Sequence, residues 1–430
     1  MYLNGKDRIQ SIDALRGISI FGMVFCASIG WSSNLPDWMF HCQVPPPDYV
    51  FKPEVRGITW VDMIFPIFIF AMGAAFPFSI GKRLDKGESL AKVAVRILKR
   101  WAVLVAFGLG LGHSQAIAGL SCDDWVKTVV PFILWLSMFA ALIRTDKMWV
   151  NISGWLAALV IVLGMHFLCD LPLDTSQNDI IIILLSTVAL LGGFIYMLTR
   201  NNIRLRTLAW LLIIATKLVG WEWGQYLVIA LPASIAGDII ASGKISGREN
   251  KGGICAALAI AAVLVQLWGL YTRNVFLDGA ISFALGAAFL LLTIKHKSSL
   301  SRIGWMGFAL LLAGIAFDPL DGGIAKDYCN MSYVLVTGGQ ASLMLYCLLW
   351  LESHCPLSRS LTMTGQNPMI AYTVAWALVC PLLSLSGLMG LIDAAAAGSP
   401  VMGIVRGLIV TLLMMAVTCI FTRHRIFWRS

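Results

Sequence analysis

A histidine and an aspartate stand close together near the start of the chain, in FHCQVPPPDYVFKPEVRGITWVDMIFP, residues 40–66. His41 precedes three consecutive prolines. Asp62 falls about one helical turn inside the apolar run that follows. A carboxylate beside an imidazole makes an acid–base unit: it holds one ring nitrogen, stabilises the imidazolium and leaves the other nitrogen to move a proton. Prolines fix φ and donate no backbone hydrogen bond, so a loop stiffened by them can hold a His rigidly over a cavity. The same stiffness would serve a plain cap on a bundle. Asp62 also has an ordinary explanation, as a carboxylate favoured by the helix dipole in a first turn.

Other polar residues sit where burial would be expensive. An ionisable group at mid-bilayer costs at least about 2.5 kcal/mol, so each needs a partner or a task. Asp13 and Arg16 lie three residues apart at the entry of the first apolar run, where they can neutralise each other or meet a charged substrate. Lys217, Glu222, Asp238 and Arg406 belong to the same class. Lys326, Ser332, Tyr333 and Thr337 lie in the turn-rich stretch FDPLDGGIAKDYCNMSYVLVTGG (317–339) and the run that it enters. Gln366 and Asn367 open GQNPMIAY (365–372), a helix start whose free N–H groups suit a phosphate or carboxylate. Read plainly, that stretch is an N-cap with proline at the first helical position. Among the other histidines, His113 ends an apolar run, His166 is expected to be a hydrogen-bonded core residue, and His296, His354 and His424 fall in connections.

The elements that must position these groups are helices in a membrane. Of the 430 residues, 58% are apolar and 13% charged, with a mean hydropathy of +0.80. Apolar runs recur at 12–31, 57–80, 98–113, 128–144, 149–169, 179–199, 207–220, 226–242, 252–271, 279–294, 303–317, 330–350, 366–388 and 401–421, most of them near the ~20 residues that cross a bilayer. The expected fold is all-α: a polytopic transmembrane helix bundle of about 11–14 spans, one integral membrane domain over 1–430, with its motif-bearing part at 8–83. The first run is too long for a signal peptide and begins with Asp13 and Arg16, so it reads as a retained span. The 207–220 run is short and holds Lys217; with 226–242 it is expected to form a broken or re-entrant pair. No internal repeat is visible.

Basic clusters, from Lys82–Arg100 through Arg200/Arg204/Arg206 to Arg423/Arg425/Arg429, fall at every second connection. This positive-inside pattern places both termini in the cytoplasm and the His41 loop on the far side. It also accounts for the net charge of +9 and excludes a nucleic-acid partner. The ten cysteines show no metal-ligand spacing, and no metal is implied. Cys42, Cys122, Cys169 and Cys329 share the far side, where a disulfide is left open.

RIQSIDALRGISIFGMVF and GITWVDMIFPIFIFAMGAAFPFSI together resemble the heparan-α-glucosaminide N-acetyltransferase family, most closely its bacterial inner-membrane branch. The matching residues are Asp13-Ala14-Leu15-Arg16-Gly17, His41, Gly57, Thr59, Asp62, Phe65-Pro66, Phe68 and Met72-Gly73. Lys326, Ser332, Tyr333 and the Gly365-Gln366-Asn367…Tyr372 stretch also look like family positions. In the family the His stands a few residues before the Gly-x-Thr; here Lys52 occupies that spacing and His41 lies upstream, across the prolines. The resemblance implies acetyl transfer from cytosolic acetyl-CoA to the amine of a terminal glucosamine across the membrane, with a His as acetyl carrier or general base. It points to His41 and Asp62 as the catalytic pair. Asp13, Arg16, Lys326, Ser332, Tyr333, Gln366 and Asn367 would contact substrate. The partners expected are the lipid bilayer, acetyl-CoA and an amino-sugar or glycan acceptor; a homodimer is left open. A non-enzymatic sugar permease is the alternative, with Asp238 and Arg406 lining its path. A passive accessory bundle would have little reason to keep so many ionisable residues.

Overall fold

The computed structural model describes residues 8–31, 35–117, 119–220, 224–243, 251–295 and 298–428. In chain order its helices are α1 (Gln10–Ser28), α2 (Trp60–Ala74), α3 (Lys82–Asp85), α4 (Leu90–Ile117), α5 (Asp124–Leu142), α6 (Met148–Cys169), α7 (Ile180–Thr199), α8 (Ile203–Leu218) and α9 (Leu227–Ala241). They continue as α10 (Gly252–Tyr271), α11 (Val275–Thr293), α12 (Ser299–Phe317), α13 (Met331–Glu352), α14 (Arg359–Gln366), α15 (Pro368–Val374), α16 (Cys380–Leu385), α17 (Leu388–Ala397) and α18 (Pro400–Arg423). No described residue belongs to a β-strand, and one isolated bridge joins Ile143 to Trp428. Eleven described helical stretches are long and apolar enough to cross a membrane. The chain is an all-helical, multi-pass membrane protein.

The helices form two compact units. The first takes in the described residues of Met1–Ala27, Asn34–Val93 and Leu191–Gln366. Its centre is α2, α9 and α13. Twelve of the fifteen α2 residues are buried, and eleven of fifteen in α9, so these helices meet protein rather than lipid. Small residues allow the close crossing of α2 and α9: a Cβ at Gly73 would fall inside the backbone of Ala230, and one at Gly237 inside that of Ala74. The stretches expected to form a broken or re-entrant pair are the short helices α8 and α9, of sixteen and fifteen residues. Burial of α9 inside protein is the condition under which a short segment tolerates membrane depth.

One basic residue departs from its expected place. Arg206 reads in the sequence as part of a topology-setting cluster, yet it is fully buried. Its Nη1 donates to Asp238 Oδ2 at 2.5 Å, its guanidinium lies 4.5 Å from the Tyr196 ring centroid, and Tyr196 OH donates to Asp238 Oδ1 at 3.0 Å. The intramembrane Asp238 therefore has its counter-ion inside the fold, where a buried charge must be paired.

The second unit comprises the described residues of Ser28–Ser33, Ala94–Leu190 and Asn367–Ser430. Aromatic rings of Phe107, Trp135, Phe139, Phe421 and Trp428 pack there with centroids 5.3–6.2 Å apart. Asp179 accepts from Tyr372 OH at 3.0 Å and Gln115 Nε2 at 3.3 Å, and caps the start of α7 through Ile182 N. Arg406 is held by Asp393 at 2.6 Å. Asp238 and Arg406, expected to line a common path, thus lie in different units, each with its own ionic partner. Glu222 and His296 lie outside the described residues.

Candidate functional site

The start of α2 is written in its sequence. Thr59 is the N-cap and its hydroxyl accepts from Val61 N; Asp62, three residues on, accepts from Thr59 N at 2.9 Å. This reciprocal arrangement satisfies donors that a helix start leaves unpaired. The same Oδ2 accepts from Cys42 N at 3.2 Å, and Thr59 Oγ1 donates to Phe40 O at 2.7 Å. The loop on either side of His41 is thereby tied to the cap of α2.

The other carboxylate oxygen faces a different group. His41 Nδ1 lies 2.6 Å from Asp62 Oδ1. An ionised carboxylate only accepts, so Nδ1 carries the ring proton and Nε2 is left free to act as a base. The Asp62 side chain is wholly buried while that of His41 is 32% exposed, so the carboxylate forms the floor and the imidazole the open side. Lys326 Nζ stands 3.2 Å from His41 Nδ1 and 4.0 Å from Asp62 Oδ1, also partly exposed. Oδ2 thus serves the ordinary role of a helix cap, while Oδ1 faces His41, the arrangement that an acid–base pair needs.

Pro66 explains how Tyr333 joins the group. A proline four residues on cannot donate to the Asp62 carbonyl. Tyr333 OH donates to that carbonyl instead, at 2.8 Å. The same device recurs in α9: Pro232 frees Val228 O, which accepts Trp210 Nε1 at 3.0 Å. Tyr333→Phe should leave a buried acceptor unpaired at a cost of about 1–3 kcal/mol. An unchanged unfolding midpoint in detergent would contradict this.

Polar turns fix the two loops that meet over the site. Asn330 caps α13 by accepting from Tyr333 N at 3.2 Å, and its Nδ2 donates to Gly323 O at 2.8 Å. Arg273 donates to both oxygens of Asp318, at 2.9 and 2.8 Å, while Asp318 Oδ1 also accepts from Ile324 N. Gly57 N donates to Ile324 O, joining the loop before α2 to the loop before α13. Gly57 has φ +131°, and a Cβ there would lie 2.9 Å from Leu270 O, so the position requires glycine on both counts.

Lys52, at the spacing where the resembled family has its His, pairs with Asp48 at 3.1 Å. The longer loop instead brings His41 onto Asp62. Cys42 is a poor acyl carrier although it adjoins His41. Burial, with the Asp62 charge adding to it, pushes its thiol up to about 12, and the reactive form is the thiolate. At neutral pH it should resist a maleimide that labels the exposed Cys355, with rapid Cys42 labelling seen by mass spectrometry the contrary result. None of the ten cysteines forms a disulfide, Cys42, Cys122, Cys169 and Cys329 among them.

A family model described as "Domain of unknown function (DUF5009)" matches residues 8–228, just over half of the chain. The chain belongs to this family. Its similarity to heparan-alpha-glucosaminide N-acetyltransferase is distant. It is 26% identical to the human protein over 130 residues, which are 30% of this chain and 17% of the relative. For the mouse protein the figures are 25% over 134 residues, 30% and 18%. The DUF5009 chain thus spans under a fifth of the length of these curated relatives.

The remaining residues that the sequence singles out lie elsewhere. Arg16 donates to Ala71 O and pairs with Asp13, which also pairs with Arg8. Gln366 ends α14 next to Gly365, which packs against the Asp13 carbonyl, and Ser11 donates to Glu352. Ala71 is nine residues beyond Asp62, about 13 Å along α2 at 1.5 Å per residue. The Asp13/Arg16 cluster therefore stands well away from His41 along that helix. Ser332 turns to Asn330 Oδ1 at 3.0 Å and belongs to the cap of α13. Asn367 precedes Pro368, which starts α15 as expected, but its side chain donates to Ile426 O at 2.8 Å instead of capping the helix. His166 Nδ1 meets Leu171 O at 2.8 Å, as a hydrogen-bonded structural residue would. Among the described residues no cluster of His, Cys, Asp and Glu could hold a metal. Arg273 is the supporting residue that sequence reasoning missed; a lone Arg beside Asn274 and the start of an apolar run was its only mark.

Proposed function

We propose that this DUF5009 chain is a membrane-bound acyltransferase that moves an acetyl group from acetyl-CoA to the amine of a glucosamine-type sugar. The observation that carries the reading is the His41–Asp62 contact at 2.6 Å, made across a loop of unusual spacing with Lys326 beside it. The distant likeness to a membrane N-acetyltransferase supplies the reaction class.

In this reading His41 Nε2 takes a proton from the attacking amine, and Asp62 steadies the imidazolium through Nδ1–H. The amine nitrogen bonds to the thioester carbon, the C–S bond breaks, and the CoA sulfur leaves with the proton that His41 carried. Lys326 supplies positive charge where the carbonyl oxygen turns negative. An acetyl group resting briefly on His41 uses the same pair. The Asp13/Arg16 cluster, with Gln366, would meet the CoA end at the other face of the membrane. We assign that face and both termini to the cytoplasm on the positive-inside pattern, and the membrane to the bacterial inner membrane on the resemblance to the family's bacterial branch.

Calorimetry of acetyl-CoA binding to the detergent-purified protein tests the donor. Micromolar binding is expected. No binding to acetyl-CoA or longer acyl-CoAs, together with uptake of labelled hexosamine into proteoliposomes, would replace this reading by the permease.

A further inference from the structure

The hairpin of α10 and α11 buries a carboxylate that the proposed reaction does not use. The inward stripe of α11 is Asp278, Ser282, Gly286, Phe289 and Thr293. Asp278, Ser282 and, on α10, Gln266 are each completely buried. Gln266 Nε2 donates to Asp278 Oδ1 at 2.8 Å and contacts Ser282 Oγ at 3.0 Å; Ser282 Oγ lies 3.3 Å from the same Oδ1. Two buried oxygens remain without a hydrogen-bond partner: Asp278 Oδ2 and Gln266 Oε1. Both are acceptors, and both belong to side chains already joined at their other ends. Gly269, one turn after Gln266, closes the seam, since a Cβ there would lie 2.5 Å from Asp278 Cβ and 3.1 Å from Oδ2.

Charge balance makes the demand sharper. Asp278 has no ion pair among the described residues. Arg273, five residues earlier, is committed to both oxygens of Asp318. An isolated buried carboxylate is among the most expensive groups in a fold, and an unpaired carbonyl oxygen beside it adds to the cost. A positively charged species at Oδ2 would balance the buried charge, and one within reach of Oε1 as well would satisfy both.

We infer that these oxygens bind a cation, a proton or a small monovalent metal ion, in the seam between α10 and α11. The inference does not depend on the acyl-transfer reading.

Two measurements on the full-length protein in detergent test it and separate the two cations. The first is the thermal midpoint in sodium chloride against choline chloride, for wild type and Asp278→Asn. The second is the infrared band of a protonated carboxyl group. A sodium-dependent rise of the midpoint in wild type, absent in Asp278→Asn, supports a metal ion. Indifference to sodium, with a protonated-carboxyl band that Asp278→Asn removes, supports a proton. If Asp278→Asn does not fold, Gln266→Leu serves: it should shrink the sodium effect or shift that band. No sodium effect and no protonated-carboxyl band would overturn the proposal.

Discussion

Replacing His41 by alanine is expected to lower acetyl transfer by at least about 10²-fold, the smaller end of what a positioned general base contributes. The protein should stay folded. The ring is partly exposed, and its polar contacts are with Asp62 Oδ1 at 2.6 Å and Lys326 Nζ at 3.2 Å. The backbone donors that hold the loop, Cys42 N and Thr59 N, bind the other oxygen and are untouched. The loss should appear in kcat, with acetyl-CoA binding kept, because the base acts on the amine in the transition state. Wild-type turnover in purified His41→Ala would remove His41 from the chemistry.

Asp62 should show two separable losses. Asp62→Ala removes the acceptor for Cys42 N and Thr59 N as well as the partner of His41. Leaving such buried donors unpaired costs about 1–3 kcal/mol, and loss of a cap about 1 kcal/mol more. Asp62→Asn keeps the volume and one carbonyl oxygen for the cap but offers His41 an amide. An amide N–H facing Nδ1 favours the tautomer with its proton on Nε2, where the base is needed; an equivalent change in a Ser-His-Asp triad lowers turnover ~10⁴-fold. The expected pattern is a lower unfolding midpoint for Asp62→Ala, a nearly normal one for Asp62→Asn, and turnover reduced ~10²-fold or more in both. An active Asp62→Asn would mean that Asp62 serves only as a cap.

The fold was legible because apolar runs leave few options in a bilayer. All fourteen expected runs overlap helices, and the TWVD start of α2 announces its own cap. The His41–Asp62 juxtaposition was legible in residue type but not in spacing. Nothing in the sequence says that a loop through Pro45–Pro47 returns to the head of α2; that depends on backbone bonds such as Lys52 N to Gln43 O. Tyr333 was visible as a polar residue, but its bond to the Asp62 carbonyl follows from Pro66, which acts through a donor it lacks. Arg206 reads as a surface charge because a charge run at a helix end looks alike whether solvated or buried. Only Asp238, alone among apolar neighbours in α9, hinted that one of those cations must point inward. Gln366 and Asn367 read as one motif, yet the former ends α14 next to Gly365, which packs on Asp13, while the side chain of the latter bonds to Ile426.

The most direct test of the account is transfer across a sealed membrane. The protein is reconstituted into vesicles with glucosamine trapped inside and labelled acetyl-CoA added outside. Labelled N-acetylglucosamine is expected in the lumen with wild type, and ~10²-fold less or lower with His41→Ala or Asp62→Asn. Efflux of unmodified glucosamine with no labelled product would contradict it.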